Sequence, residues 1–316
     1  MLQKCTKCNE RPSIFSRPYS GERLCRKCFV NSLEEKVKET ISRYGMFRPT
    51  DNIAVAVSGG KDSVTLLQML SRIEKDFPKT KITALTVDEG IRGYRYEAVK
   101  IARENCKKLN VEHKVISFKN LYGYGLDDII EVARENGELT PCSYCGILRR
   151  KALNIAAKSI GATKLATAHN LDDEAQTILL NIIHGDAVRI ARVEPVIEER
   201  VSGFVQRVKP FCEIPENEVA LYAYLKKNRF QTTPCPYRFA AMRSDIRVML
   251  NKLEVKYPGV KFTIFKSMEK IRPAVKSAVG KIELKECKNC GEPTIGDICK
   301  PCETLLKLKL LKNSGR

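Results

Sequence analysis

The sequence predicts an α/β protein: a doubly wound parallel sheet flanked by two small four-cysteine modules. Three observations carry this expectation. Short apolar runs alternate with helical patterns through the middle of the chain. The first of these runs ends in the glycine-rich segment Ser58-Gly59-Gly60-Lys61-Asp62-Ser63. A C-x2-C…C-x2-C unit stands near each end of the chain.

The N-terminal unit comprises Cys5, Cys8, Cys25 and Cys28, with sixteen residues between its pairs. The C-terminal unit comprises Cys287, Cys290, Cys299 and Cys302, with eight. Four thiolates in tight hairpins suit a tetrahedral structural zinc ion, and modules with so little apolar content need bound metal to fold. Rubredoxin-like iron or a redox dithiol pair could use the same ligands. The expected division is a zinc module over 1–32, a catalytic domain over 33–210, a basic helical part over 211–280, and a second zinc module with a tail over 281–316.

Strands are expected at Ile53–Val57, Ile82–Val87, Lys114–Phe118 and Lys164–Ala168, and helices at Val64–Ile73, Tyr96–Leu109, Cys145–Ile160 and Asp172–Ile183. Residues 186–207 read as a charged, irregular connection, after which helical periodicity returns over 216–227 and 240–253. A ligand of such a sheet lies at the carboxyl ends of its strands, where the glycine segment falls. Glycines let a backbone turn sharply and approach an anion, and N–H groups at a helix start point toward it. Lys61 adds a positive charge, and Asp62 and Ser63 are placed to cap a helix that begins near Val64. The segment is not a Walker A loop, since Val55 and Asp62 stand where that motif needs Gly and Ser or Thr.

Three further cysteines form a central group. Cys142 and Cys145 are a C-x2-C at a helix entry, beside Arg149, Arg150 and Lys151; Cys235 lies between two prolines. A helix N-terminus and nearby cations favour thiolates. Three thiolates on a [4Fe–4S] cluster would leave one iron open to an exogenous sulfur. A persulfide-carrying dithiol, a catalytic zinc site, or a Cys235 that is merely buried are the competing readings. Cys106 and Cys212 read as core, and His113 and His184 carry no assigned role.

The 316 residues carry a formal charge of +19. From Lys226 onward there are 21 Lys and Arg against 8 Asp and Glu, so most of the excess is concentrated in the last third. Such a surface suits a polyanion such as RNA. No apolar run is long enough for a membrane span and no secretory h-region opens the chain, so a cytoplasmic protein without a membrane partner is expected. In a reducing compartment, thirteen cysteines point to metal or redox chemistry rather than disulfides.

The segment from Ala168 to Ala175, at the end of the last expected strand, carries His169, Asn170, Asp172, Asp173 and Glu174. Carboxylates there can hold Mg2+ against phosphates, or can simply cap a helix. With this segment the resemblance becomes specific. Ser58–Ser63 matches the pyrophosphate loop of the N-type ATP pyrophosphatases. The order of SGGKDS, PCxxCGxxRR, the His-Asn-acid segment and a late Pro-Cys, bracketed by two four-cysteine modules, resembles the TtuA/NcsA family of tRNA 2-thiouridine synthetases, with the cytidine-thiolating TtcA enzymes as relatives. The resemblance covers essentially the whole chain.

It implies the adenine-nucleotide α hydrolase, or PP-loop, fold. It also implies an ATP site on Val57, Ser58, Gly59, Gly60, Lys61, Asp62, Ser63, Val87, Ala168 and Asp173. Relatives usually carry Gly where this chain has Ala168, which implies tighter sterics over the nucleotide. Cys142, Cys145 and Cys235 would ligate the cluster, and Lys61, Asp62 and Asp173 would act with Mg2+ on ATP. Implied too are adenylation of a uridine O2 and its replacement by sulfur, at the wobble uridine in preference to a T-loop uridine. The alternatives are cytidine 2-thiolation of the TtcA type, a non-thiolating PP-loop tRNA-modifying ligase, and an RNA-binding zinc protein with a vestigial nucleotide site. The sulfur would come from a ubiquitin-like thiocarboxylate carrier or inorganic sulfide, and relatives suggest a dimer. Arg149, Arg150, Lys151, Arg238, Arg243 and Arg247 are candidate tRNA phosphate contacts.

Overall fold

The computed structural model describes residues 3–77, 79–197, 203–237, 242–280 and 284–311. In chain order the N-terminal region holds β1 (Phe15–Arg17), β2 (Glu22–Leu24) and α1 (Arg26–Arg43). The central region runs β3 (Asn52–Ala56), α2 (Lys61–Ile73), β4 (Lys81–Asp88), α3 (Arg95–Leu109), β5 (Glu112–Ser117), α4 (Phe118–Tyr122), α5 (Leu126–Asn136) and α6 (Pro141–Ser159). It continues with β6 (Lys164–Ala166), α7 (Leu171–Ile183), α8 (Ala187–Ala191) and β7 (Gln206–Val208). Then follow α9 (Glu216–Leu225), α10 (Met242–Lys256), α11 (Val260–Val279), β8 (Lys285–Glu286), β9 (Pro293–Thr294) and α12 (Lys300–Lys307).

Five of these strands form one parallel sheet in the order β5-β4-β3-β6-β7. The chain winds outward one way from β3 and then the other way from β6, so the switch point lies between β3 and β6. In sheets of this kind the ligand crevice opens there, beyond the carboxyl ends. The doubly wound reading is therefore met, with one strand more than the sequence suggested. Gln206–Val208 overlaps the end of the stretch expected to be irregular; three residues are too few to show a period of two.

Helix starts also differ from expectation. α6 begins at Pro141 rather than Cys145, because Thr140 Oγ1 caps it by accepting from the Ser143 N–H at 3.3 Å and proline suits a first turn. Cys142 thus sits inside the first turn. α2 begins at Lys61 rather than Val64, so Asp62 and Ser63 belong to its first turn and do not precede it. The long α11 was missed because Pro273 reads as a break, yet the helix carries it internally.

The main core joins one face of the sheet to the N-terminal module: Cys5, Leu24, Cys25 and Phe29 belong to one buried cluster with Val55, Leu66 and Tyr222, while Ala54, Leu85 and Leu165 on the other face pack with α6. Helix α1 runs across the expected 32/33 division without a break. The C-terminal cysteines form a small cluster of their own, while Leu305 and Leu308 pack with Tyr144 and Leu148. No helix among the described residues is long and apolar enough to cross a membrane.

Candidate active site

The nucleotide half of the site is built by the turn from β3 into α2. Gly59 adopts φ +90°, and a Cβ there would lie 2.5 Å from the Ala98 carbonyl oxygen, so the turn needs glycine. Ser63 Oγ accepts from the Ser58 N–H at 3.1 Å and donates to the Gly60 carbonyl at 3.0 Å, which fixes the loop. Val57 is buried; its carbonyl accepts from Thr86 Oγ1 at 2.7 Å, while the carbonyl of Val87 accepts from Arg95 Nε at 2.9 Å. Ala168 is partly buried against the main core at the β6 end.

Lys61 Nζ lies 2.9 Å from Asp62 Oδ2 and 2.6 Å from Glu216 Oε1. Burial opposes its charge, but these two carboxylates hold Lys61 protonated above its usual range. Asp173 forms a reciprocal cap with Asn170 at the start of α7. Burial pushes its carboxyl up to about 6, and the charges of Asp62 and Glu216 add to this. Burial also raises Asp62, and its Oδ1 is buried with no hydrogen-bond partner. Three crowded carboxylates and one orphaned acceptor are the donor set a hard divalent cation requires. Glu216 was missed in the sequence, where an acid after Pro215 at a helix start reads as ordinary capping.

A polar relay leads from this half to the central cysteines. Arg95 Nη1 donates to the Ser58 carbonyl at 2.8 Å, and its Nε pairs with Glu89 at 2.6 Å. The other Glu89 oxygen lies 3.6 Å from Arg149 Nη1, and Arg149 is one helical turn from Cys145 on α6. The 229–237 segment is drawn to the same edge, since the Gln231 N–H donates to the Gly59 carbonyl at 2.9 Å. Cys142 Sγ donates to the Tyr237 carbonyl at 3.3 Å, and Cys145, Cys235 and Tyr237 pack on one apolar cluster. Glycine loop and thiols therefore share the carboxyl edge of the sheet. Glu89 and Arg95 have no local sequence signal.

Burial lifts the Cys145 thiol to about 11, against the pull of Arg149, and also raises Cys235. Among the described residues, the terminal groups Cys5/Cys8/Cys25/Cys28 and Cys287/Cys290/Cys299/Cys302 are the places where metal-ligating atoms close to within 4.8 Å. A tetrahedral zinc with bonds of about 2.3 Å sets sulfurs roughly 3.8 Å apart. Cys142, Cys145 and Cys235 are not among these close-set groups; three thiols at one sheet edge are the soft donor type an iron–sulfur cluster takes. Cys106 and Cys212 are buried in the main core, as read from sequence.

The candidate phosphate contacts divide. Arg149 is taken up by Glu89, and Arg243 donates to Thr177 Oγ1 at 2.9 Å with Asp173 at 4.0 Å. Lys151 faces away from the crevice into the C-terminal group, 3.1 Å from Cys290 Sγ and 3.5 Å from Cys302 Sγ. That geometry corrects the expectation for Lys151, whose ammonium serves thiols. Arg150 and Arg247 are exposed, and Arg238 lies outside the described residues. His169 lines the crevice; desolvation there, with Lys209, Arg207, Arg149 and Arg243 adding positive charge, keeps its imidazole neutral well below the usual range.

Sheet, switch point and acid-ringed lysine define an ATP-using PP-loop domain, and residues 30–254 match the family model described by that name, PP-loop domain. Residues 4–30 match the model for the N-terminal LIM domain of 2-thiouridine synthetase TtuA. A probable sulfurtransferase of Methanocaldococcus jannaschii is 38% identical over 98% of this chain and 89% of its own. The tRNA 2-thiolation protein NcsA of Haloferax volcanii is 36% identical, covering 96% and 98%. The solved structure of the U34-tRNA thiolase NcsA from Methanococcus maripaludis, with its [4Fe-4S] cluster, aligns with a TM-score of 0.85 at 33% identity, over 99% of this chain and 100% of that one. This chain belongs to the TtuA/NcsA family of PP-loop sulfurtransferases.

Proposed function

We propose that this protein is a cytoplasmic, ATP-dependent tRNA 2-thiouridine synthetase acting on the wobble uridine at position 34. The observation that carries this reading is the shared crevice: glycine loop and central thiols are joined through Arg95, Glu89 and Arg149. The U34-tRNA thiolase among its relatives favours position 34 over the T-loop uridine.

ATP lies with its phosphates on the N–H groups of Ser58 to Ser63 and its adenine beside Val57 and Val87, under Ala168. Asp62, Asp173 and Glu216 would hold Mg2+, which supplies charge neutralisation on the phosphates. As the uridine O2 bonds to the α-phosphorus and pyrophosphate leaves, Lys61 turns from Glu216 to the departing charge. Adenylation converts a poor leaving oxygen into AMP; sulfur then bonds to C2 and the C2–O bond breaks. Cys142, Cys145 and Cys235 fit a [4Fe–4S] cluster by donor chemistry, and such a cluster, held by three residues, would supply an iron open to the incoming sulfur. Arg149 keeps positive charge beside Cys145, where burial otherwise favours the neutral thiol. The sulfur arrives from a thiocarboxylate carrier or inorganic sulfide. Each four-cysteine group holds one structural zinc.

A buried base must be extruded to reach the site, and Arg150, Arg243 and Arg247 contact the tRNA backbone during this. The test is Cys235→Ala, which is expected to abolish 2-thiouridine while ATP binding persists, with nucleoside mass spectrometry mapping the product to position 34. Anaerobically purified protein should hold about four irons per cluster and absorb broadly near about 400 nm. Full thiolation by Cys235→Ala would overturn the assignment.

A further inference from the structure

The site described above leaves Arg207 on β7 unexplained and gives Arg150 on α6 no partner within the fold. Helix α6 runs against the sheet, with its N-terminus at the carboxyl edge. Asn154 Oδ1 on this helix accepts from the Val205 N–H at 3.0 Å, and so registers helix against strand. One turn back from Asn154 lies Arg150, about 6 Å nearer the carboxyl edge. Two residues on from Val205 lies Arg207, roughly 6.6 Å nearer the same edge.

Both side chains also lie on one side of the sheet. Val205 and Leu165 pack with Ala156 and Ala157 of α6, and Arg207 pairs with Leu165 in the ladder. Cross-strand partners share a face, so Arg207 lies on the face that α6 covers, near enough to exposed Arg150 for the two charges to repel. No carboxylate pairs with either among the described residues. Arg207 Nε is buried and has no hydrogen-bond partner. Burial, then Arg150 and Arg149, lower Arg207 to about 10; burial, then Arg149, Arg189 and Arg243, lower Arg150. Both groups stay charged at neutral pH, in surroundings that an anion would relieve.

We infer that Arg150 and Arg207 form an anion subsite, across β6 from the glycine loop, that grips one backbone phosphate of the RNA beside the extruded nucleotide. The inference rests on the tRNA reading above and deepens it. Two sources could supply phosphate here, the RNA diester or pyrophosphate from ATP. The position favours RNA: the glycine loop and Lys61 belong to β3 and α2, whereas this pair borders exposed Arg189 and Arg243, both open to the basic surface.

The experiment measures binding of an unmodified tRNA transcript across a KCl series, and binding of ATP and of inorganic pyrophosphate, for wild type, Arg150→Gln, Arg207→Gln and Arg207→Lys. Each neutralised arginine should flatten the plot of log affinity against log salt by about 0.7 to 1. ATP and pyrophosphate affinities should stay at wild-type values, and Arg207→Lys should restore the slope. Wild-type slopes in both Gln variants overturn the subsite, as does weakened pyrophosphate binding with an unchanged tRNA slope. If Arg207→Gln does not fold, exposed Arg150→Gln decides. A wild-type protein that fails to bind tRNA would sink the parent reading as well; wild-type binding with unaltered variants sinks the subsite alone.

Discussion

The two four-cysteine modules share a ligand pattern and are attached in opposite ways. Cys5 and Cys25 lie inside the main core, and Arg17 and Glu218, both buried, lock the N-terminal module to α9 with an ion pair of 2.6 Å. Tyr19 also bonds Glu218, and Arg26 donates to the Leu225 carbonyl at 2.8 Å. The C-terminal cysteines cluster apart, with Cys290 exposed. They reach α6 through Lys151, and Glu292 accepts from Asn154 and Lys158, each at 3.1 Å. Each module thus braces a different half of the site. Helix α9 begins at Glu216, the partner of Lys61, whereas α6 carries Cys142 and Cys145. One half is held from within the core and the other from its edge.

The sharpest way to break this comparison is to remove one ligand from each module. A structural zinc contributes about 10–16 kcal/mol, more than the roughly 5–15 kcal/mol that separates folded from unfolded domains. Cys25→Ser should therefore yield chain that does not fold, read as lost far-UV circular dichroism and insolubility. Cys287→Ser should keep the sheet, bind ATP and lose thiolation. Equal damage from the two would abolish the distinction between core and edge. Next in size is Arg17→Met, which strands Glu218 as a buried charge. Removing one partner of such a pair costs about 3–5 kcal/mol, to be read from the urea midpoint. Arg17→Met with Glu218→Gln should recover part of that loss.

The same contrast explains what could be read from the chain. Ser58–Ser63 and the cysteine pairs are contiguous, and short-range chemistry dictates their form; four of five sheet strands follow from apolar runs for the same reason. Glu216, Glu89, Arg95 and Arg207 matter through partners far away in sequence, and nothing local marks them. Glu218 reads as a solvated acid at a helix start, yet it is fully buried because Arg17, 201 residues away, meets it. Lys151 looked like part of a basic run with Arg149 and Arg150. Helical rotation sends the three to different places: Arg149 to Glu89, Arg150 to the exposed surface and Lys151 to the C-terminal thiols. β7 escaped for want of length, and α11 because of Pro273.

Lys151→Met sharpens the comparison at the thiol half. An ammonium donating to metal-bound thiolates is an outer-shell partner, and losing one typically weakens metal binding 10- to 100-fold. Zinc should leave the C-terminal group faster in a chelator assay, with the N-terminal ion and the urea midpoint close to wild type. Comparable loss from both modules would show that the edge module depends on something other than this contact.

The smallest effect expected is a pH dependence confined to the nucleotide half. Asp173 carries a carboxyl pushed up to about 6 by burial and by Asp62 and Glu216. Its folded value exceeds its unfolded one, so its contribution to stability is present at low pH and fades as pH rises through about 6. Mg2+ reverses the balance by pairing with the charged form. Affinity for Mg2+ with ATP should fall up to about tenfold per unit below pH 6, since proton and metal compete for one oxygen. Asp173→Asn should lower affinity at neutral pH and flatten that profile. A variant retaining the wild-type slope would move the titration to Asp62, whose carboxyl burial also raises. Either way, proton sensitivity would belong to the half of the site that α9 supports.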